Sequence, residues 1–282
     1  MCHVHPEIMS DTPPPSTSQE DANRINLGEV VTRYLEGLQR VYDVVGYFLA
    51  GETLLNERDF ESFARSGRVM PSQRSKMDFD GTRNAASSWL LKQGLNESLG
   101  LLTLFLDDCR TIAGLAKWKA SEKTDQKELD KVLNDERADF LKLDLPAKIK
   151  FLQETYGVSA SAAEEHVRSL YAARVSLSNP RGVVTDGDLD GADALVLKLK
   201  NVTLRSAPSG EEQGGILVTS EMGDVEKSFR SGEGISLSKN EQIAAILTVS
   251  FYVTSLAESL RDYATKLGVT EEAIEAAQKQ DK

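Results

Sequence analysis

Histidine and cysteine are nearly missing from this chain, with three His and two Cys in 282 residues. Two of the histidines, His3 and His5, sit beside the start, which leaves His166 as the one imidazole inside patterned sequence. A Ser-His-Asp or Cys-His centre therefore has little material. Cys2 and Cys109 make no disulfide framework, and a reducing cytoplasm is the expected location. No G-x-x-x-x-G-K-[ST] loop and no G-x-G-x-x-G turn is present, so the common phosphate-cradling and dinucleotide-binding signatures are absent. Basic charge is also short: 33 Lys and Arg face 44 Asp and Glu, a net charge of −11. Such a chain does not attract nucleic acid by its overall field, and an RNA contact needs a local basic patch. Long apolar runs are lacking too. The most apolar stretch, Leu99 to Leu106, is bounded by Asn96-Glu97 and Asp107-Asp108 and is too short to span a bilayer. No basic segment followed by an apolar one opens the chain, so neither a secretory signal nor a membrane partner is expected.

What is present is helical periodicity. Residues 1–23, rich in Pro, Ser, Thr and Asp, are expected to be a disordered tail, and residues 24–282 a helical domain. From Leu27 apolar residues recur through Val31, Tyr34, Leu38, Val41, Val45 and Phe48, with Asn26 and Glu29 as an N-cap pair and Gly51 as the stop. A short helix is expected over Leu54, Leu55, Phe60 and Phe63, then a loop from Ser66 to Gly81. A long helix follows from about Asn84 to Lys119, and Gly94 and Gly100 are candidate bends. Next come a charged helix with Leu129, Val132 and Leu133, and a short one opening at Asp144 with Pro146 in its first turn. Ser161 and Glu164 make a capping-box signature for the helix after it.

Past Pro180 the texture changes. Leu195, Leu197 and Leu199 alternate with Val196, Lys198 and Lys200, which predicts a strand. A second strand is expected at Gly215–Val218 and a third near Phe229, within a β insertion of about 183–235. Helix resumes behind a Ser238–Glu241 capping box, carries Ile243 through Leu267 on an amphipathic face and ends at Gly268, with a terminal helix starting at Thr270. The fold class is mostly α: an antiparallel helical bundle with a small antiparallel β insertion before the last long helix.

One arginine breaks the pattern. Ala163, Val167, Leu170, Arg174 and Leu177 fall within one narrow sector of their helix, with Arg174 near its centre. A guanidinium stays charged in a protein interior, so an inward arginine needs an anion, carbonyls or a wet interface. The plain alternative is an internal ion pair that fixes packing. The run LPAKIKFLQETYGVSASAAEEHVRSLYAARVSLSNPRGVV resembles the HEPN superfamily of helical-bundle proteins, with the HEPN-like part spanning about 143–268. Members carry an Arg-Asn pair with a His four to six residues on, forming a metal-independent RNase site at a dimer interface. Arg174 occupies the arginine position and Gly182 resembles the glycine of the following turn. Val175 replaces the Asn, and the histidine window holds Asn179, Pro180 and Arg181. Without an imidazole the resemblance implies lost nuclease chemistry, because Asn cannot exchange a proton and Arg is a poor base near neutral pH.

The expected function is therefore a non-catalytic binding or interaction protein, a homodimer, holding a nucleotide or RNA phosphate with Arg174, Asn179 and Arg181. Another protein is a further candidate partner. The rivals are a ribonuclease pairing Arg174 with Tyr171, Asn179 or His166, and a structural scaffold. No cofactor and no metal is expected. Asp186, Asp188, Asp190 and Gly191 spell the opening of a calcium loop, but Leu197 stands where its bidentate carboxylate belongs, and a solvated acidic turn is the better reading. Met1–His5 could chelate a metal only adventitiously. Trp89 and Trp118, at the two ends of the long helix, are read as core or interface anchors.

Overall fold

The computed structural model describes residues 26–66, 77–121, 125–160, 162–179, 182–189, 191–208 and 216–269. Among them seven α-helices and one two-stranded sheet form the bundle with a β insertion that the periodicity predicts. The helices are α1 (Leu27–Gly51), α2 (Glu57–Ser66), α3 (Phe79–Ala120), α4 (Gln126–Phe140), α5 (Leu145–Tyr156), α6 (Glu164–Ser178) and α7 (Lys239–Lys266). The strands β1 (Leu195–Pro208) and β2 (Ile216–Phe229) lie between α6 and α7. The expected tail over 1–23 and the expected helix from Thr270 fall outside the described residues.

Helix starts follow capping chemistry. Asn26 Oδ1 accepts from the Glu29 N–H at 3.2 Å, and Asp144 Oδ1 accepts from the Ala147 N–H at 2.9 Å with Pro146 in the first turn. Ser238 and Glu241 form both bonds of the capping box, at 3.3 and 2.6 Å. At α6 the expected box is not what starts the helix. Its N-cap is Ala163, which has no side-chain cap bond, and Ser161 lies outside the described residues. The second helix also starts later than its apolar residues suggest. Leu54 and Leu55 precede α2 and stand 82% and 62% exposed, because α1 runs through Gly51 and the chain must first turn away from it. Gly94 and Gly100 both lie inside the uninterrupted helix α3.

The bundle is organised around α3, which packs against α1, α4, α5, α6 and α7. One buried cluster draws Leu38 from α1, Leu102 and Phe105 from α3, Ile149 from α5, Leu170 from α6, Leu197 from β1 and Val249 from α7. The helices before Lys119 thus share a core with those after it. Each such side chain contributes roughly 1.5–3 kcal/mol on burial. By length and composition α7 could cross a membrane, yet more than half of its most apolar window is buried within the bundle, as the core helix of a folded domain would be.

The sheet is a single long hairpin. The expected second and third strands are one continuous strand, because Phe229 pairs with Leu195 at one end of the same ladder that joins Ile216 to Pro208 at the other. Leu195, Leu197 and Leu199 are buried, while Lys198 and Lys200 face Glu226 and Asp224 directly across the ladder, at 3.4 and 2.7 Å. The strand β1 also has a second edge, which runs under the helices. There the Lys198 N–H donates to Ser169 Oγ (2.9 Å) and the Lys200 N–H to Thr248 Oγ1 (2.8 Å). Hydroxyls from α6 and α7 thereby satisfy backbone donors that a neighbouring strand would otherwise take.

Candidate functional site

Arg174 sits on α6 where that helix faces α3. The buried stripe around it is as expected: Ala163, Val167, Leu170 and Leu177 are each at most 4% exposed. Arg174 itself is half-buried. Its Nε donates to Asn96 Oδ1 of α3 at 2.7 Å, and its guanidinium carbon lies 5.9 Å from the centre of the Tyr171 ring. A guanidinium has five N–H donors. Among the described residues only the Nε donor is engaged, and no carboxylate pairs with the charge. The internal ion pair expected of a packing arginine is therefore not formed within the described residues. Lys92 stands one turn before Asn96 on the same face of α3, half-buried and likewise without a carboxylate among the described residues. The seam between α3 and α6 thus holds one oriented guanidinium with donors to spare. Such a group can take an anion, and a planar fork suits the oxygens of a phosphate.

Of the two residues that sequence reasoning placed beside Arg174, Asn179 is employed in the turn after α6. Asn179 donates through Nδ2 to Asp188 Oδ2 (3.1 Å) and to the Val183 carbonyl (3.4 Å), so its amide holds the turn after α6. Arg181 lies outside the described residues, as does Asp190 of the calcium-like run. The rest of that run forms a 3-10 turn over Asp186–Asp188. Burial would raise the Asp188 carboxyl, but the N–H and hydroxyl of Thr185 at 2.7 and 2.8 Å, with the Asn179 amide, hold it below its ordinary value. Gly182 takes φ +60°, a left-handed conformation that glycine adopts without strain.

His166 is eight residues, roughly 12 Å along the axis, before Arg174. It points to the hairpin, where Nε2 lies 3.2 Å from Asp224 Oδ1, and only 8% of the residue is exposed. Its Nδ1 is buried without a hydrogen-bond partner among the described residues. Asp224 also pairs with Lys200, whose ammonium is the main cause of its lowered carboxyl. Glu165 pairs with Lys198 alongside. The imidazole therefore belongs to the clamp between α6 and the hairpin. Of the three partners weighed for Arg174, Tyr171 lies beside it, while Asn179 and His166 are engaged elsewhere.

A second buried arginine escaped the sequence reading. Arg110 of α3 is 1% exposed, and its donors reach Asp107 Oδ1 (3.1 Å), the Leu133 carbonyl (3.3 Å), Glu136 Oε1 (3.4 Å) and Thr111 Oγ1 (2.9 Å). Arg137 donates to Asp107 Oδ2 (3.0 Å) and Tyr156 to Glu136 Oε1 (2.6 Å). Burial, then the bond to Glu136, push the Tyr156 phenol well up. Lys148, 2% exposed, rests its ammonium 4.6 Å from the Phe140 ring centre, and its pKa is lowered by burial. Gly114 marks the closest approach of the helices here, since a Cβ would come within 2.7 Å of Leu133 Cδ2. In contrast to Arg174, Arg110 has all three of its nitrogens engaged inside the protein. It ties α4 to α3 and, at 1% exposure, lies out of a ligand's reach.

Cys109 is a free, fully buried thiol whose pKa burial pushes up, so it is neither exposed nor activated. Trp89 is 59% exposed, whereas Trp118 is half-buried at the far end of α3. No family model, curated protein or solved structure matches the chain.

Proposed function

We propose that this protein is a HEPN-like binding protein, working as a homodimer, that holds a phosphate of a nucleotide or RNA at Arg174 and does not cleave it. The observation that carries this reading is a half-buried guanidinium oriented by an amide, with unspent donors and no carboxylate partner among the described residues. A packing arginine is neutralised from inside, as Arg110 is; an arginine left charged in a seam is available to an external anion. Non-catalytic binding is favoured because Asn179 is committed to its turn and His166 to the hairpin.

The test is RNA binding by the full chain in chelator, over a series of salt concentrations, with cleavage followed in the same tubes. Wild type should bind with salt-sensitive affinity and leave the RNA intact. Arg174→Ala should weaken binding about tenfold or more, the scale of one charge-assisted hydrogen bond. Asn96→Ala should weaken it less, by freeing the guanidinium. Equal affinity in wild type and Arg174→Ala would refute the reading. Cleavage by wild type that Arg174→Ala abolishes would make the protein a ribonuclease instead.

A further inference from the structure

The end of the bundle opposite the tip of α5 carries a different kind of site. The last turns of α1, the helix α2 and the first turns of α3 enclose a cavity of about 550 Å³. That volume is in the range of small-ligand pockets. Four aromatic rings line it, those of Phe48, Phe60, Phe79 and Trp89, although aromatics are only 6% of the chain. Two of these rings stay half-open to solvent, Phe48 at 52% and Trp89 at 59%. Apolar surface of this kind is costly to leave in water and marks a binding site when it is concave.

The charges on the wall decide the sign of the ligand. Glu52 is matched by Lys239 at 3.1 Å, and Arg83 by Asp80 at 2.9 Å. Asp59 is the exception. Its carboxylate accepts only from the neutral Asn56 amide, at 2.6 Å, and has no cation against it among the described residues. Aromatic faces attract cations through their quadrupoles. The cavity already shows this internally, with the Arg83 guanidinium 5.8 Å from the centre of the Phe79 ring. An apolar chamber with several aromatic rings and one unmatched carboxylate favours a hydrophobic group ending in a positive charge.

From these features we infer that the α1–α2–α3 cavity binds a hydrophobic organic cation, its apolar body among the aromatic rings and its ammonium group against Asp59. The site is separate from Arg174, so the two readings stand or fall independently. Trp89 reports on it directly. Trp118 lies 29 residues further along α3, about 44 Å away, and serves as the internal reference.

The experiment titrates the full chain with 4-phenylbutylammonium and, separately, with 4-phenylbutyrate, which has the same skeleton and the opposite charge. Heat of binding and tryptophan emission are both read. The ammonium should bind about fivefold tighter than the carboxylate or better, the scale of one exposed charge and cation–π contact. Asp59→Asn, an exposed change that leaves the packing alone, should shrink that preference toward one. Trp89→Phe should remove the emission change and keep the Trp118 signal. Equal binding of the two probes, preference for the carboxylate, or no binding of either overturns the inference, as does an Asp59→Asn variant with the wild-type preference. A concentration-dependent dimer whose formation shuts out the ammonium probe also overturns it, by making a second copy the occupant.

Discussion

Arg110 and Arg174 are the same side chain put to opposite uses, and the difference is one of partners. At Arg110 four acceptors from α3 and α4 close around a guanidinium that water cannot reach. Removing the arginine takes the buried cation from Asp107 and Glu136, which keep Arg137 and Tyr156 as partners, and breaking a buried pair costs up to about 3–5 kcal/mol. Arg110→Ala should therefore lower the unfolding free energy by about that amount, measured by urea denaturation. Arg174→Ala in the same experiment should cost about 1 kcal/mol or less, because only one amide loses its partner. A large loss at Arg174 with a small one at Arg110 would invert the assignment of roles. Arg110 also shows why a local reading misses such a residue. Asp107, the nearest carboxylate to the arginine at 3.1 Å, looks with Asp108 like the polar boundary of an apolar run, and the remaining partners, the Leu133 carbonyl and Glu136, arrive from more than twenty residues on. Arg174 stood out because its own helix supplies the apolar neighbours that make it conspicuous.

At the scale of elements, the hairpin depends on hydroxyl groups that belong to other elements. Thr248 Oγ1 accepts from the Lys200 N–H at 2.8 Å and donates to the Ala244 carbonyl at 2.7 Å, and the residue is fully buried. Thr248→Val keeps the shape and removes the acceptor, so the Lys200 N–H is left unpaired at a cost of about 1–3 kcal/mol. The expected result is that loss of stability together with faster hydrogen exchange at Lys200. Unchanged exchange there would mean that the strand edge does not need the threonine. Elements were legible wherever the signal was local. Asp144 with Pro146, and Ser238 with Glu241, set helix starts that the structure keeps, and the Leu195–Leu197–Leu199 alternation marks the buried face of β1. The division of β2 into two strands failed because it rested on Gly and Ser content, whereas the continuous ladder depends on pairing with β1. The cavity was not legible either. Phe48, Phe60, Phe79 and Trp89 lie on three helices, and only their packing brings the rings together.

For the molecule as a whole, acidity is both a surplus and a dependence. Four carboxylates on the hairpin side, Glu165, Asp188, Asp224 and Glu241, have their pKa values held below the ordinary range. At Glu241 burial works the other way, and the Ser238 N–H with Lys227 outweighs it. A carboxylate whose folded pKa is lowered stabilises the fold above its unfolded value, near 4, and that contribution disappears as pH falls through the folded value. Thermal unfolding should thus be nearly flat from pH 7 to about 5 and decline below about 4. Glu241→Gln should make the acid decline shallower than in wild type, even though it starts from a lower melting temperature. An identical acid slope in the two proteins would remove Glu241 from the account.

The unbroken run of α3 has a further consequence. Arg83 at the cavity wall, Asn96 under Arg174 and Arg110 in the buried network follow one another along a single rod, spaced by about 20 Å each. The helix is a ruler. The aromatic chamber runs along the helix from Phe79 to Leu90 and ends about 9 Å before Asn96, so a molecule that engages both chamber and arginine seam must be long enough to cover that interval. Anything shorter must choose between them. Two small ligands can occupy the rod at once without touching, and any influence of one on the other has to travel through the packed helices.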